Sequence, residues 1–181
     1  ERYAGVGNIE SIPFFQAVYH PYGITFGSYS SLVTPPWDEK WPVEYAPENP
    51  EDLLGKEFNM QFLMEQARSF VWGNQPTIAN YHSFLNSERK EEIDYLLDIA
   101  RTRYMALKYL LHGEFCRNPV IDCPEEEIKV SRLSIYAGRT PGENVKAFEK
   151  KVPLLYVGTW RAADKNIGIA LASISDRSIP V

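Results

Sequence analysis

Two tryptophans and two carboxylates stand together in the segment Trp37-Asp38-Glu39-Lys40-Trp41. This combination suits a carbohydrate, because a flat ring packs against the apolar face of a sugar while carboxylates accept hydrogen bonds from its hydroxyl groups. Glycoside hydrolysis usually also requires two carboxyl groups, about 5 Å apart for retention or about 6.5–9.5 Å apart for inversion. The alternative interpretation is that the tryptophans anchor a long loop by packing and that the acids form its solvated tip.

A second group of candidate ligands follows two apolar runs of the chain: Tyr19 and His20 after the first, and Asn80 and Tyr81 after the second. The pKa of histidine lies near neutrality, so His20 can bind hydroxyl groups or tune a nearby acid. A histidine satisfied within the structure is the alternative. Neither run ends in Asp or Glu, so catalytic residues stay unassigned.

The sequence lacks the motifs of several other kinds of functional site. The histidines and cysteines form no Cys-x-x-Cys or His-Glu-x-x-His pattern, so we expect no metal site. Cys116 and Cys123 are too few for a disulfide scaffold, and whether they are bridged is left open. The chain has no Gly-x-Ser-x-Gly elbow. Gly5-Val6-Gly7 precedes a predicted strand and has Glu10 where the dinucleotide fingerprint has its third glycine, so we expect no cofactor.

Composition and charge narrow the class further. The chain has 181 residues, of which 44% are hydrophobic, and this suits one domain or slightly more. A formal net charge of −5 and a pI near 5.3 argue against binding of nucleic acid. No apolar run approaches the roughly 20 residues of a membrane span. The first residue is Glu1, which we interpret as the mark of a processed, trimmed or fragmentary chain.

Hydrophobic periodicity predicts two strand-loop-helix units over residues 11–112. The predicted elements are a strand at 12–18, a loop at 19–49, a helix at 50–71, a strand at 77–81 and a helix at 87–112. Asn49-Pro50 is typical of a helix start, and Gly73 is typical of a helix end. The loop is unusually long for a compact domain and rich in Tyr and Trp, which favours a functional role over disorder.

The pattern changes after residue 120. Strands are predicted at 128–136, 152–160 and 167–175, and Ala-Ala-Asp-Lys-Asn joins the last two as a hairpin loop. Because successive helices stop and paired strands begin, we place a domain boundary near 120–128.

Buried strands that alternate with helices indicate parallel pairing with right-handed crossovers, and therefore an α/β fold. In such folds ligands bind at the carboxyl ends of the strands. We therefore expect Tyr19 and His20 to lie beside Asn80 and Tyr81 at that rim, with the 19–49 loop across it.

The chain resembles the closing part of bacterial (β/α)8 glycoside-hydrolase-like proteins, whose last barrel helix leads into a β-sandwich. The resemblance is carried by 12–20 (Ile-Pro-Phe-Phe-Gln-Ala-Val-Tyr-His), 66–70, 73–76, 108–115, 158–161 (Gly-Thr-Trp-Arg) and 168–176. Relatives often have Tyr-His-Asp at the end of the seventh strand, whereas this chain has Tyr19-His20-Pro21.

The resemblance implies the last two βα units of the barrel in residues 1–122 and the beginning of a β-sandwich in residues 123–181. It implies carbohydrate as substrate, catalytic acids upstream of Glu1 and the remainder of the same polypeptide as partner. It also favours a periplasmic or extracellular location. The implied substrate-binding residues are Tyr19, His20, Trp37, Asp38, Trp41, Asn80 and Tyr81.

A different class of function is the alternative. A loop rich in Trp, Tyr and Pro is also typical of protein–protein interfaces. The chain would then be a non-catalytic binding or scaffold module.

Overall fold

A computed structural model of the chain describes residues 13–26, 30–31, 56–79, 89–131 and 147–180. These residues form a mixed α/β structure, as predicted. The helices are α1 (Phe14–Tyr19), α2 (Asn59–Val71), α3 (Lys90–Met105) and α4 (Leu107–Leu110), with 3-10 turns at His20–Tyr22 and Lys56–Phe58. The strands are β1 (Ser30–Ser31), β2 (Ile78–Ala79), β3 (Glu114–Cys116), β4 (Glu125–Ser131), β5 (Ala147–Pro153), β6 (Leu155–Arg161) and β7 (Ile167–Ser173).

The predicted strand at 12–18 is wrong, because Phe14–Tyr19 is the helix α1. Pro13 precedes its first turn, where a missing N–H is harmless, and the Pro13 carbonyl accepts a hydrogen bond from the Ala17 N–H at 2.9 Å. Phe14 is 71% exposed, so the apolar run is not a strand buried on both faces.

The first strand of the parallel pair comes later in the chain. Ser30–Ser31 pairs in parallel with Ile78–Ala79, and Phe26 forms a parallel bridge with Gln75. Helix α2 connects the two strands, so this part of the chain has the strand-helix-strand order expected of an α/β unit. The predicted strand at 77–81 is confirmed at residues 78–79.

Helix α2 ends where the sequence predicts. Its buried stripe includes Met64, Ala67 and Val71 at helical spacing. Gly73 follows with a φ of +73°, the left-handed conformation that glycine adopts readily. The Gly73 and Asn74 N–H groups donate to the carbonyls of Phe70 and Ser69, each at 2.9 Å, which completes a Schellman cap. The predicted Asn49 start lies outside the described residues.

The long helix predicted at 87–112 is present as α3 and α4, and its predicted first residues lie outside the described part. Two antiparallel sheets account for the rest: β4 pairs with β5, and the other sheet has the order β3-β6-β7. The predicted hairpin between β6 and β7 is confirmed. It turns at Lys165, whose φ is 66°.

One buried cluster connects the helices to both sheets. It includes Phe70 of α2, Ile99 of α3, Val130 of β4, Val152 of β5 and Trp160 of β6. The cluster therefore contains side chains from both sides of residue 122, the predicted end of the barrel portion. The sheets pack directly on α2, and this contact shapes the candidate sites described next.

Candidate functional site

Of the predicted site residues, the structure describes Tyr19 and His20. Tyr19 ends α1 and is exposed, and His20 begins the following 3-10 turn and is 2% exposed. Both precede β1, so their expected place at the carboxyl end of a strand is wrong, because that strand is a helix. The other predicted ligands, Trp37, Asp38, Trp41, Asn80 and Tyr81, lie outside the described residues.

The carboxyl ends of β1 and β2 lie in register, since Ser31 is paired with Ala79. In the sequence Asn80 follows directly on Ala79, and residues 32–55 follow β1. Helix α3 begins eleven residues beyond the end of β2, beside a buried ion pair whose Arg89 Nε and Glu92 Oε1 are 3.1 Å apart. This buried ion pair stabilises the first turn of α3.

His20 lies at the opposite, amino-terminal end of the parallel pair, in a tight aromatic contact. Its ring centroid is 4.6 Å from that of Trp160. A Cβ built on Gly73 would be 2.8 Å from the His20 ring, so glycine is required for this packing. Within the described residues, neither His20 nitrogen has a well-aligned hydrogen bond.

Arg103 of α3 donates hydrogen bonds to three backbone carbonyls near His20. Its Nε donates to the Asn74 carbonyl at 3.2 Å, and one terminal nitrogen donates to the carbonyls of Gly73 at 3.2 Å and Leu110 at 3.5 Å. Burial lowers the pKa of His20, and the positive charge of Arg103 lowers it further, while the nearby backbone of Leu110 acts in the opposite direction. The His20 ring is therefore held neutral, which suits packing.

We expect this arrangement to make stability depend on pH. The pKa of His20 is lower in the folded chain than its value of 6.5 in the unfolded chain, so the unfolded chain binds more protons below about pH 6.5. The His20 contribution is therefore fully present above that pH and is lost as the pH falls toward the folded-state pKa. Urea unfolding of the protein and of His20→Phe at about pH 7.5 and pH 5.5 measures this, because the variant has no ring proton to gain.

The expected result is a larger loss of unfolding free energy on acidification in the native chain than in His20→Phe. The exposed Val120 supplies the control, since Val120→Ala adds and removes no ionisable group and should keep the native pH dependence. Equal losses in the native chain and His20→Phe would contradict the assignment.

A cleft that sequence reasoning missed lies between α1, the end of α2, β3 and the start of β6. Its volume is about 540 Å³, within the usual range of ligand sites. The residues that matter most are Arg68 and Trp72 of the α2 end, Arg117 after β3, and Tyr156 of β6. One signal could have found it: Arg68 occupies a position in the apolar stripe of α2, four residues after Met64.

Contacts of Arg68 and Asn118 hold the walls of the cleft in place. The Arg68 guanidinium lies 4.6 Å from the centroid of the Trp72 ring. Asn118 holds the chain after β3 onto β6, because its amide donates to the Val157 carbonyl at 3.0 Å and accepts from the Thr159 N–H at 2.9 Å. Cys116 and Cys123 are free thiols in this part of the chain.

The described residues hold no group of three or more His, Cys, Asp or Glu side chains that could bind a metal ion. In the same ranges, no helix combines the length and the apolar character needed to cross a membrane. Comparison with family models, curated proteins and solved structures gives no match.

Proposed function

We propose that this chain is a portion of a carbohydrate-active (β/α)8 enzyme and contributes substrate-binding loops at the carboxyl-terminal face of the barrel. The observation that supports this most is the parallel register of β1 and β2 with α2 between them. A parallel pair joined through a helix is the repeating unit of such barrels.

The direction of the strands selects the binding face. Both strands run toward Ser31 and Ala79, and in barrel enzymes the loops that follow the strands form the active site. The sequence after β1 contains Trp37, Asp38 and Trp41, and the sequence after β2 begins with Asn80 and Tyr81. These five residues form the proposed sugar-binding group.

Tyr19 and His20 are left out of that group because they precede β1. In this proposal the seventh barrel strand is the segment of Phe26 and Ser30–Ser31, and the eighth is the segment of Gln75 and Ile78–Ala79. The catalytic acids would come from earlier strands of the same polypeptide, and the family resemblance favours a periplasmic or extracellular location.

The second part of the proposal is that residues 123–181 begin a β-sandwich. Alternate residues of β7 support it: Ile167, Ile169 and Leu171 are all more than half exposed on the sheet face that points away from α2. In a β-sandwich, such an apolar face packs against a second sheet.

The sugar-binding proposal is tested by titrating mono- and oligosaccharides of varied linkage into the protein, with tryptophan fluorescence and calorimetry as readouts. Binding of at least one sugar is expected. Trp37→Ala and Trp41→Ala should each weaken it about 30-fold, since loss of a central aromatic contact costs about 2 kcal/mol. Tyr104→Ala is the control, because Tyr104 of α3 is exposed and lies outside the proposed group. Indifference to the whole sugar panel would overturn the proposal.

An interaction module is the second candidate, and one observation favours it. Phe14 and Tyr22 expose 71% and 86% of their surface, and the neighbouring Phe15, Val18 and Tyr19 are also exposed. Contiguous exposed apolar side chains often mark protein interfaces. Phe14→Ser and Tyr22→Ser separate the two functions: loss of self-association with unchanged sugar affinity would favour the interaction module.

A further inference from the structure

We propose that the cleft between α1, α2, β3 and β6 binds a small carboxylate with an apolar body, such as an aromatic or aliphatic acid. The cleft has a volume of about 540 Å³. Most of its walls are apolar, with contributions from Pro13, Val71, Phe115 and Leu155. These walls would receive the body of the ligand, because burial of apolar surface is favourable and requires no directional partner.

Arg68 supplies the positive charge. Its side chain is buried at the end of α2, and its guanidinium stacks on the ring of Trp72. A guanidinium presents two parallel N–H groups that match the two oxygens of a carboxylate. Stacking on Trp72 fixes the plane of the guanidinium before a ligand arrives, so less conformational freedom is lost on binding.

Tyr156 of β6 supplies a hydrogen-bond donor in the same cleft. The residue is 8% exposed, and within the described residues its hydroxyl has no hydrogen-bond partner. Burial raises the pKa of Tyr156, so the hydroxyl keeps its proton at neutral pH. A buried hydroxyl without a partner is destabilising, and a ligand oxygen in the cleft would supply the missing acceptor.

The charge around the cleft favours an anion. Arg117 lines the cleft. Burial lowers the pKa of the Lys150 ammonium, and the nearby Arg68 guanidinium lowers it further. Glu65 is one carboxylate that acts on Arg68, and it also accepts a hydrogen bond from Gln61 at 3.0 Å. Two guanidinium groups at the cleft, those of Arg68 and Arg117, complement an acid and disfavour an amine.

The cleft is distinct from the proposed sugar site. Trp72 ends α2 just before Gln75 enters the parallel pair, so this wall lies at the amino-terminal end of the strands. The sugar-binding group follows the carboxyl-terminal end. A protein with both sites would bind an acid and a sugar at opposite ends of the same parallel pair.

The test is a titration of the isotopically labelled protein with phenylacetate and hexanoate, followed by NMR. We expect saturable shifts at the Trp72 indole N–H and the backbone amides of residues 115–118. The neutral analogues phenylacetamide and hexanamide should bind at least about tenfold more weakly, because they lack the charge that Arg68 recognises. Equal affinity for acid and amide, or no saturable shift below about 50 mM acid, would overturn the proposal.

Substitutions of Arg68 and Tyr156 measure how much each side chain contributes to the affinity for the acid. Arg68→Gln should weaken acid binding by about tenfold or more, with circular dichroism as the check on folding. Should that variant unfold, Tyr156→Phe decides, since it removes one oxygen and should weaken binding by about threefold to tenfold. Unchanged affinity in Tyr156→Phe would refute the role of the hydroxyl and with it the proposed mode of binding.

A matched control comes from Tyr95, a partly buried tyrosine of α3. The Tyr95 hydroxyl donates to the Ser173 carbonyl at 2.9 Å, so Tyr95→Phe should reduce stability and keep the affinity for the acid. Trp37→Ala should also keep that affinity. The acid site and the sugar site can therefore fail independently of each other.

Discussion

Replacing Gly158 by alanine is expected to lower the unfolding free energy by about 3 kcal/mol or more. A Cβ at this position would lie 2.0 Å from the Val71 carbonyl oxygen and 2.8 Å from the Val71 carbonyl carbon. Both are backbone atoms in the last turn of α2, so no side-chain rotation relieves the clash. Strand β6 would have to move away from α2, and urea unfolding followed by circular dichroism measures the loss.

Gly23 provides the matched control for Gly158→Ala. A Cβ on Gly23 meets nothing within 4 Å, and the backbone there is extended, with a φ of −169° that any residue adopts. Gly23→Ala should therefore leave stability unchanged or raise it slightly, because alanine restricts the unfolded chain. A similar loss in both variants would show that the contact between β6 and α2 is not the cause.

Removing the Trp160 side chain by Trp160→Ala is expected to cost about 3–5 kcal/mol. The side chain is fully buried and donates a hydrogen bond from Nε1 to the Val71 carbonyl at 3.0 Å. Its ring also contacts those of His20 and Phe115, at centroid distances of 4.6 and 5.0 Å. Thermal and urea unfolding should both register the change.

Trp160→Phe separates the contribution of the buried ring from that of the hydrogen bond to the Val71 carbonyl. It keeps much of the ring and loses the hydrogen bond, so about 1–3 kcal/mol is expected. Tyr104→Ala serves as the surface control because Tyr104 is 77% exposed, and it should change stability by less than about 0.5 kcal/mol. A Trp160→Ala variant as stable as the Tyr104→Ala control would contradict the packing described for β6.

The elements that sequence reasoning predicted correctly are those with a local signal. Helix α2 has its apolar residues at helical spacing and a glycine immediately beyond its end, and both features act over a few residues. The hairpin at 162–166 likewise has two apolar strands and a short polar turn. In each case the pattern and the structure depend on the same neighbouring residues.

Helix α1 shows where this reasoning fails. A short apolar run does not distinguish a buried strand from a helix by periodicity alone. Phe14 and Val18 remain exposed, so burial did not select a strand for this segment. Pro13 does not distinguish the two either, because proline is tolerated at the first residue of a strand and also just before the first turn of a helix, which is its place here.

The two candidate sites also differ in whether their residues have a local signal in the sequence. Trp37, Trp41 and Asn80 could be proposed from the sequence because their residue types suit a sugar and they follow predicted elements. The cleft could not, since Arg68 and Tyr156 are 88 positions apart in the chain and meet only through the packing of β6 on α2. The contact of His20 with Trp160 is equally non-local.

The three carbonyl contacts of Arg103 also bear on how the protein opens locally. They tie the residues after α2, Gly73 and Asn74, to Leu110 at the end of α4 through a single side chain of α3. Fraying of either helix end would leave a buried guanidinium with fewer acceptors, which is unfavourable. The two ends are thereby coupled into one cooperative unit, and slow amide exchange in one should be accompanied by slow exchange in the other.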